Sequence, residues 1–136
     1  MDCNSLMMIA ENYGIMVYNF RMAGKKAFAV LRNIALDYSR IETEREHKRL
    51  LSEEIGHCVI QALYSLSDCN NPTRHRVIAK AERKATDYSY NLQVPLKELQ
   101  EALKKSDDDY EIAEMLDVDI DTLRQAVDYY RRKNLL

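Results

Sequence analysis

The chain has 136 residues, 46% of them apolar and 31% charged, the make-up of one globular domain with its own core rather than of a disordered or low-complexity segment. Twenty basic against 22 acidic side chains leave a net charge of −2, too balanced for the broad positive field that a phosphate backbone selects, so direct nucleic-acid binding is not expected. No apolar run approaches the roughly 18 residues that a membrane span needs, and the polar start Met1-Asp2-Cys3-Asn4 does not read as a secretory leader; the expectation is a cytoplasmic protein without a membrane partner, and its three cysteines, Cys3, Cys58 and Cys69, read as free thiols.

Leu6, Ile9, Ala10 and Tyr13 gather on one helical face and Gly14 follows as a stop, which predicts a short first helix. Ile15–Phe20, Ala27–Leu31 and Ile34–Leu36 are short, apolar or β-branched, and separated by Gly24 and Arg32-Asn33, the pattern of a small sheet containing a hairpin. From Glu42 to about Leu66 there is no proline, and Leu51, Ile55, Val59 and Leu63 recur four apart, predicting a central helix interrupted only by Gly56. Asn70-Asn71-Pro72 marks a loop. A second long helix runs to about Gln93 with Val77, Ala81, Ala85, Tyr88 and Leu92 along one side, and Pro95 closes it. Three shorter helices complete the chain: Leu96–Lys105, Tyr110–Leu116 and Ile120–Lys133. Because the strands precede the main helices, the class is α+β rather than a wound parallel sheet.

At about 100 degrees per residue, Leu51, Ile55, Cys58, Val59, Ala62 and Leu63 fill one broad side of the central helix, which must be buried. Glu53, Glu54 and His57 share a narrower arc flanked by Leu50 and Ile60. A carboxylate among apolar neighbours is costly unless it is paired, protonated, hydrogen-bonded or bound to a metal. Side chains four apart point the same way, so Glu53 and His57 can grip one ion from a single face, with Glu54 beside it as a proton acceptor. The alternative is two solvated glutamates and a hydrogen-bonded histidine at the edge of the core.

The surrounding sequence resembles the ImmA/IrrE family of small zinc-protease-like proteins. Arg49-Leu50-Leu51-Ser52-Glu53-Glu54-Ile55-Gly56-His57-Cys58 is similar to the family's helix with HELGHH at its centre, with Glu53 where the first histidine stands. Ala81-Glu82-Arg83-Lys84-Ala85 through Val94-Pro95 is similar to its second helix, which makes Glu82 the third ligand. The resemblance implies a zincin-like domain over residues 1–105, followed by a small helix-turn-helix-like pair over 106–136 packed on it as one unit. It implies a zinc ion held by Glu53, His57 and Glu82, with Glu54 as general base, and a peptidase acting on a cognate regulatory protein such as a helix-turn-helix repressor. A carboxylate at position 53 shifts preference toward harder ions, so another divalent metal, or none, stays open. Without metal the same fold would act as an interaction protein that occupies a repressor rather than cutting it.

The remaining polar landmarks are expected to be structural. His47 lies in the charged stretch Glu44-Arg45-Glu46-His47-Lys48-Arg49 and reads as solvent-facing, Cys58 as a core thiol, Tyr88 and Tyr90 as packing residues, and His75 as an outside candidate for an extra ligand. The last two helices resemble a DNA-reading pair, but Asp119 and Asp121 would meet phosphates with the wrong sign; packing or partner docking is the expected role.

Overall fold

The computed structural model describes residues 1–61 and 74–136. The loop at Asn70-Asn71-Pro72, Cys69, and Ala62 and Leu63 of the central helix lie outside the described residues, as does the side chain of His75. Among the described residues there are six helices and one three-stranded mixed sheet, an α+β architecture, and no helix long and apolar enough to cross a membrane.

Helix α1, Cys3–Asn12, starts where the Asp2 carboxylate accepts the Ser5 amide at 2.8 Å. It ends in a paired turn: Gly14, at φ +69°, donates to Glu11 O, and Ile15 donates to Ala10 O, both at 2.9 Å. The chain then forms β1 (Met16–Asn19), β2 (Ala27–Val30) and β3 (Asn33–Leu36) in the spatial order β1-β3-β2. Strands β2 and β3 are the expected hairpin, turned by Leu31 and Arg32, while β1 lies parallel to β3. Leu31 takes φ +55° and is exposed, a conformation that costs a side-chain-bearing residue free energy and that glycine would adopt freely. Strand alternation sends Val17, Ala29 and Ile34 to one face in a single row, and Tyr18, Ala35 and Phe28 to the other.

Helix α2, Glu44–Gln61, opens with Thr43 accepting the Glu46 amide at 3.1 Å, half of a capping box. Helix α3, Arg74–Gln93, crosses it, and α4 (Leu96–Lys105), α5 (Asp109–Leu116) and α6 (Ile120–Arg132) follow. The apolar interior is divided in two. Leu6, Ala10, Ile15, Ile34, Leu36, Leu51, Ile55, Cys58 and Leu92 join α1, the inner sheet face, α2 and α3. Val94, Leu99, Ile112, Leu116, Leu123, Ala126 and Tyr130 form a second cluster under α4, α5 and α6. Helix α4, grouped by sequence with residues 1–105, thus contributes its buried Leu99 and Ala102 to the core it shares with the C-terminal pair.

The stretch Glu44–Arg49 does not lie wholly in solvent as its charge suggested. Lys48 is 4% exposed, and its ammonium donates to the carbonyls of Leu116 and Asp117 at 2.9 and 3.0 Å. Burial pushes its pKa down from the ordinary lysine value. Arg45 beside it pairs with Asp117 at 2.9 Å and Glu114 at 3.1 Å. Asp117 itself caps α5 at φ +52°, where Val118 donates to Ala113 O and Asp117 to Glu114 O.

Asp37 organises the long connection between β1 and β2. Its buried carboxylate accepts from Ser39, from Arg40 Nε at 2.9 Å and from the Met22 amide at 3.3 Å, while Arg40 also donates to the carbonyls of Met22, Gly24 and Lys25. The Ser39 and Arg40 hydrogen bonds hold its pKa down to about 2. A carboxyl depressed on folding stabilises the native state above its unfolded pKa and loses that contribution as pH falls through the folded value. We therefore expect stability to drop between about pH 4 and pH 2 by an amount that Asp37→Asn removes, as read from urea melts across that range; an unchanged acid profile in the variant would show that Asp37 is not the group responsible.

Candidate metal centre

The site begins at a glycine. A Cβ at Gly56 would lie 2.5 Å from the Ala85 carbonyl oxygen, closer than non-bonded atoms tolerate, so α2 and α3 meet backbone to backbone at a position only glycine permits. Glu82 stands one turn before Ala85 on α3, and His57 directly follows Gly56 on α2. The crossing brings His57 Nδ1 to 3.6 Å from Glu82 Oε2. Two of the residues expected as ligands thus lie close to one another across the two helices.

Glu53 and Glu54 occupy the preceding turn, both half-buried. Burial raises the Glu54 pKa; His57 opposes that shift and Glu53 adds to it. Glu53 is turned toward Arg49, whose Nη1 lies 3.4 Å away, both partly exposed. The intended trio of Glu53, His57 and Glu82 is therefore assembled in two of its members, with the third engaged by a cation one turn back. Glu82 is 59% exposed, so this side of the site is open to solvent.

The tyrosines near the site are held by packing partners. The Tyr88 hydroxyl donates to the Tyr13 hydroxyl at 3.3 Å, and Tyr90 donates to Gln125 at 3.2 Å while its ring lies against Tyr129. Cys58 is buried in the first core beside Ile55 and Leu51, and burial pushes its thiol up to about 11, in keeping with an inert core thiol. Ser52, fully buried one turn before Gly56, has a hydroxyl without a hydrogen-bond partner among the described residues.

A second group of metal-ligating side chains lies at the other end of α2. One ligand-type atom each from Cys3, Glu44 and His47 fall within 4.8 Å of one another. Among the described residues, Glu53, His57 and Glu82 do not form such a group. Cys3 and His47 are half-buried and Glu44 exposed. The Cys3 thiol donates to the Glu44 carbonyl at 3.8 Å, and burial raises its pKa to about 11. His47 Nε2 is 3.1 Å from the Tyr38 hydroxyl, with the two rings edge to face. His47 thus does not stand free in solvent as the sequence suggested. The sequence signal was faint: Glu44 and His47 are three apart at a helix start, but Cys3 joins them across 41 residues.

In comparisons with known proteins, the chain matches no family model, no curated protein and no solved structure.

The crossing yields a direct test. Gly56→Ala gains helix propensity but forces the two backbones apart, and overpacking of this kind costs about 1–3 kcal/mol. Chemical denaturation should register that loss. A variant as stable as the parent would mean that α3 can withdraw from α2 without penalty.

Proposed function

We propose that the chain is a zincin-like domain of ImmA/IrrE type, acting as a metal-dependent endopeptidase on a cognate regulatory protein such as a helix-turn-helix repressor. The observation that carries the reading is the Gly56–Ala85 crossing, which sets His57 against Glu82 with Glu54 half-buried in the preceding turn. One imidazole and two carboxylates suit zinc or a harder ion such as manganese, and two of the three donors already meet. Glu53 completes the set once it exchanges Arg49 for the ion.

Glu53, His57 and Glu82 would hold the cation, which supplies Lewis-acid polarisation of a peptide carbonyl and makes water more acidic. The chain's own residues do the rest. Glu54, whose pKa burial raises, takes a proton from the attacking water onto its carboxylate and returns it to the departing amine nitrogen. Gly56 and Ala85 hold α2 and α3 at the separation that keeps His57 and Glu82 on a common centre. The open flank at Glu82 gives an extended peptide access.

One observation favours a second reading, in which the same surface binds a repressor without cutting it: the Arg49–Glu53 pair occupies a would-be ligand. Elemental analysis of the purified chain separates the two. The peptidase reading expects zinc or manganese at this site, so that His57→Ala and Glu82→Ala each lower the metal content by one ion per chain, and cleavage of a candidate repressor that Glu54→Gln slows by about 10²–10⁴-fold while metal content stays unchanged. A metal-free chain that still sequesters the repressor would establish the binding reading instead.

The competing ion pair gives a further expectation. A surface pair of this kind is worth about 0–1 kcal/mol, so Arg49→Ala should raise metal affinity at this site by up to roughly fivefold in a competition titration against a chromophoric chelator. An affinity that falls would show that Arg49 supports the site rather than competing for it.

A further inference from the structure

We propose that Cys3, Glu44 and His47 form a second, structural zinc site that fastens the start of α1 to the start of α2. The three residues supply one sulfur, one oxygen and one nitrogen ligand, with their ligand atoms within 4.8 Å of one another. Tetrahedral zinc at ordinary bond lengths sets its ligands roughly 3.3–3.6 Å apart, a closure that side-chain rotation supplies. The donor set is chemically selective. A thiolate and an imidazole favour zinc over magnesium or calcium, and the thiolate and carboxylate together neutralise a dication. On binding, the Cys3 proton leaves for solvent and the sulfur takes its place on the ion, so no oxidant or reductant is involved.

The surroundings are arranged to orient the ligands. Glu44 and His47 are three apart on the first turns of α2 and project to one side. His47 is fixed edge to face against Tyr38, with Nε2 3.1 Å from the hydroxyl; with Nε2 donating to that oxygen, Nδ1 keeps its lone pair for an ion, the arrangement that ligating histidines use to fix their tautomer. Cys3 is placed by the first turn of α1, itself capped by Asp2. Lys48, a cation that acts on Cys3, has its ammonium committed to the Leu116 and Asp117 carbonyls. This site lies on different residues from the Glu53, His57 and Glu82 set and does not depend on it.

Cobalt is the probe, because a thiolate ligand gives Co²⁺ a near-ultraviolet charge-transfer band that carboxylate and imidazole donors do not. The metal-stripped chain titrated with Co²⁺ should develop that band, and excess Zn²⁺ should abolish it. Cys3→Ser and His47→Ala should remove the band, whereas Cys58→Ser, Cys69→Ser and the pair His57→Ala/Glu82→Ala should keep it. Tyr38→Phe, which leaves all three ligands in place, should weaken cobalt affinity about tenfold or more, and zinc should raise the melting temperature of the His57→Ala/Glu82→Ala chain but not of that chain carrying Cys3→Ser as well. Absence of the band in the parent chain would overturn the proposal. So would a band that survives Cys3→Ser, since the sulfur would then come from another cysteine.

Discussion

The contact between Gly56 and the Ala85 carbonyl fixes the distance between the two longest helices, and most of what can be said about the centre of the molecule depends on it. A side chain of any size on α2 at this point would hold α3 away. With none there, Ile55 and Cys58 reach the first core on one side while His57 faces Glu82 on the other. Glu54, half-buried in the turn before this contact, ionises less readily than an open glutamate because of that burial.

The opposite end of α2 is held by charge rather than by close approach. The carbonyls at the end of α5 lack partners within their own helix and carry the negative end of its dipole. Lys48 supplies a buried ammonium to two of them, and Arg45 covers the Asp117 and Glu114 carboxylates around them. Helix α2 is thereby joined to α3 through backbone contact near its middle and to α5 through cations in its first turns. Helix α1, the sheet and α3 pack against it, while α6 takes its position against α3 and α5.

Much of this order was legible in the residues because local signals agreed with one another. Gly14, Pro95 and the break at Arg32-Asn33 punctuate segments whose apolar spacing already names them as helix or strand, and the structure places the elements close to those signals, with the hairpin turn one residue earlier at Leu31 and Arg32. Gly56 stood out as the one interruption in the central helix, and α3 is what approaches there. What could not be read were relations between distant segments. That β1 lies parallel to β3 is not written in either strand's composition. Lys48 sits in a run of charges that looks solvated, and only the arrival of α5 from 68 residues away explains its burial. The Cys3, Glu44 and His47 group is hidden for the same reason: its members share a corner of the fold but no segment of sequence. Arg49, one turn before Glu53, was visible as a neighbour, yet its preference for that carboxylate depends on a rotamer that periodicity does not supply.

The two apolar clusters meet at the end of α3, where Leu92 belongs to one and Val94, two residues on, to the other. Tyr130 of α6 reinforces the junction by donating to the Val94 carbonyl at 2.7 Å. Neither half can melt without withdrawing this shared turn from its neighbour, so order in the C-terminal helices is communicated to the glutamate helix through a few ångströms of backbone. A partner that grips α6 would thus hold a lever on the far end of the same helix that carries Glu82, coupling docking to the geometry of the centre with no hinge in between.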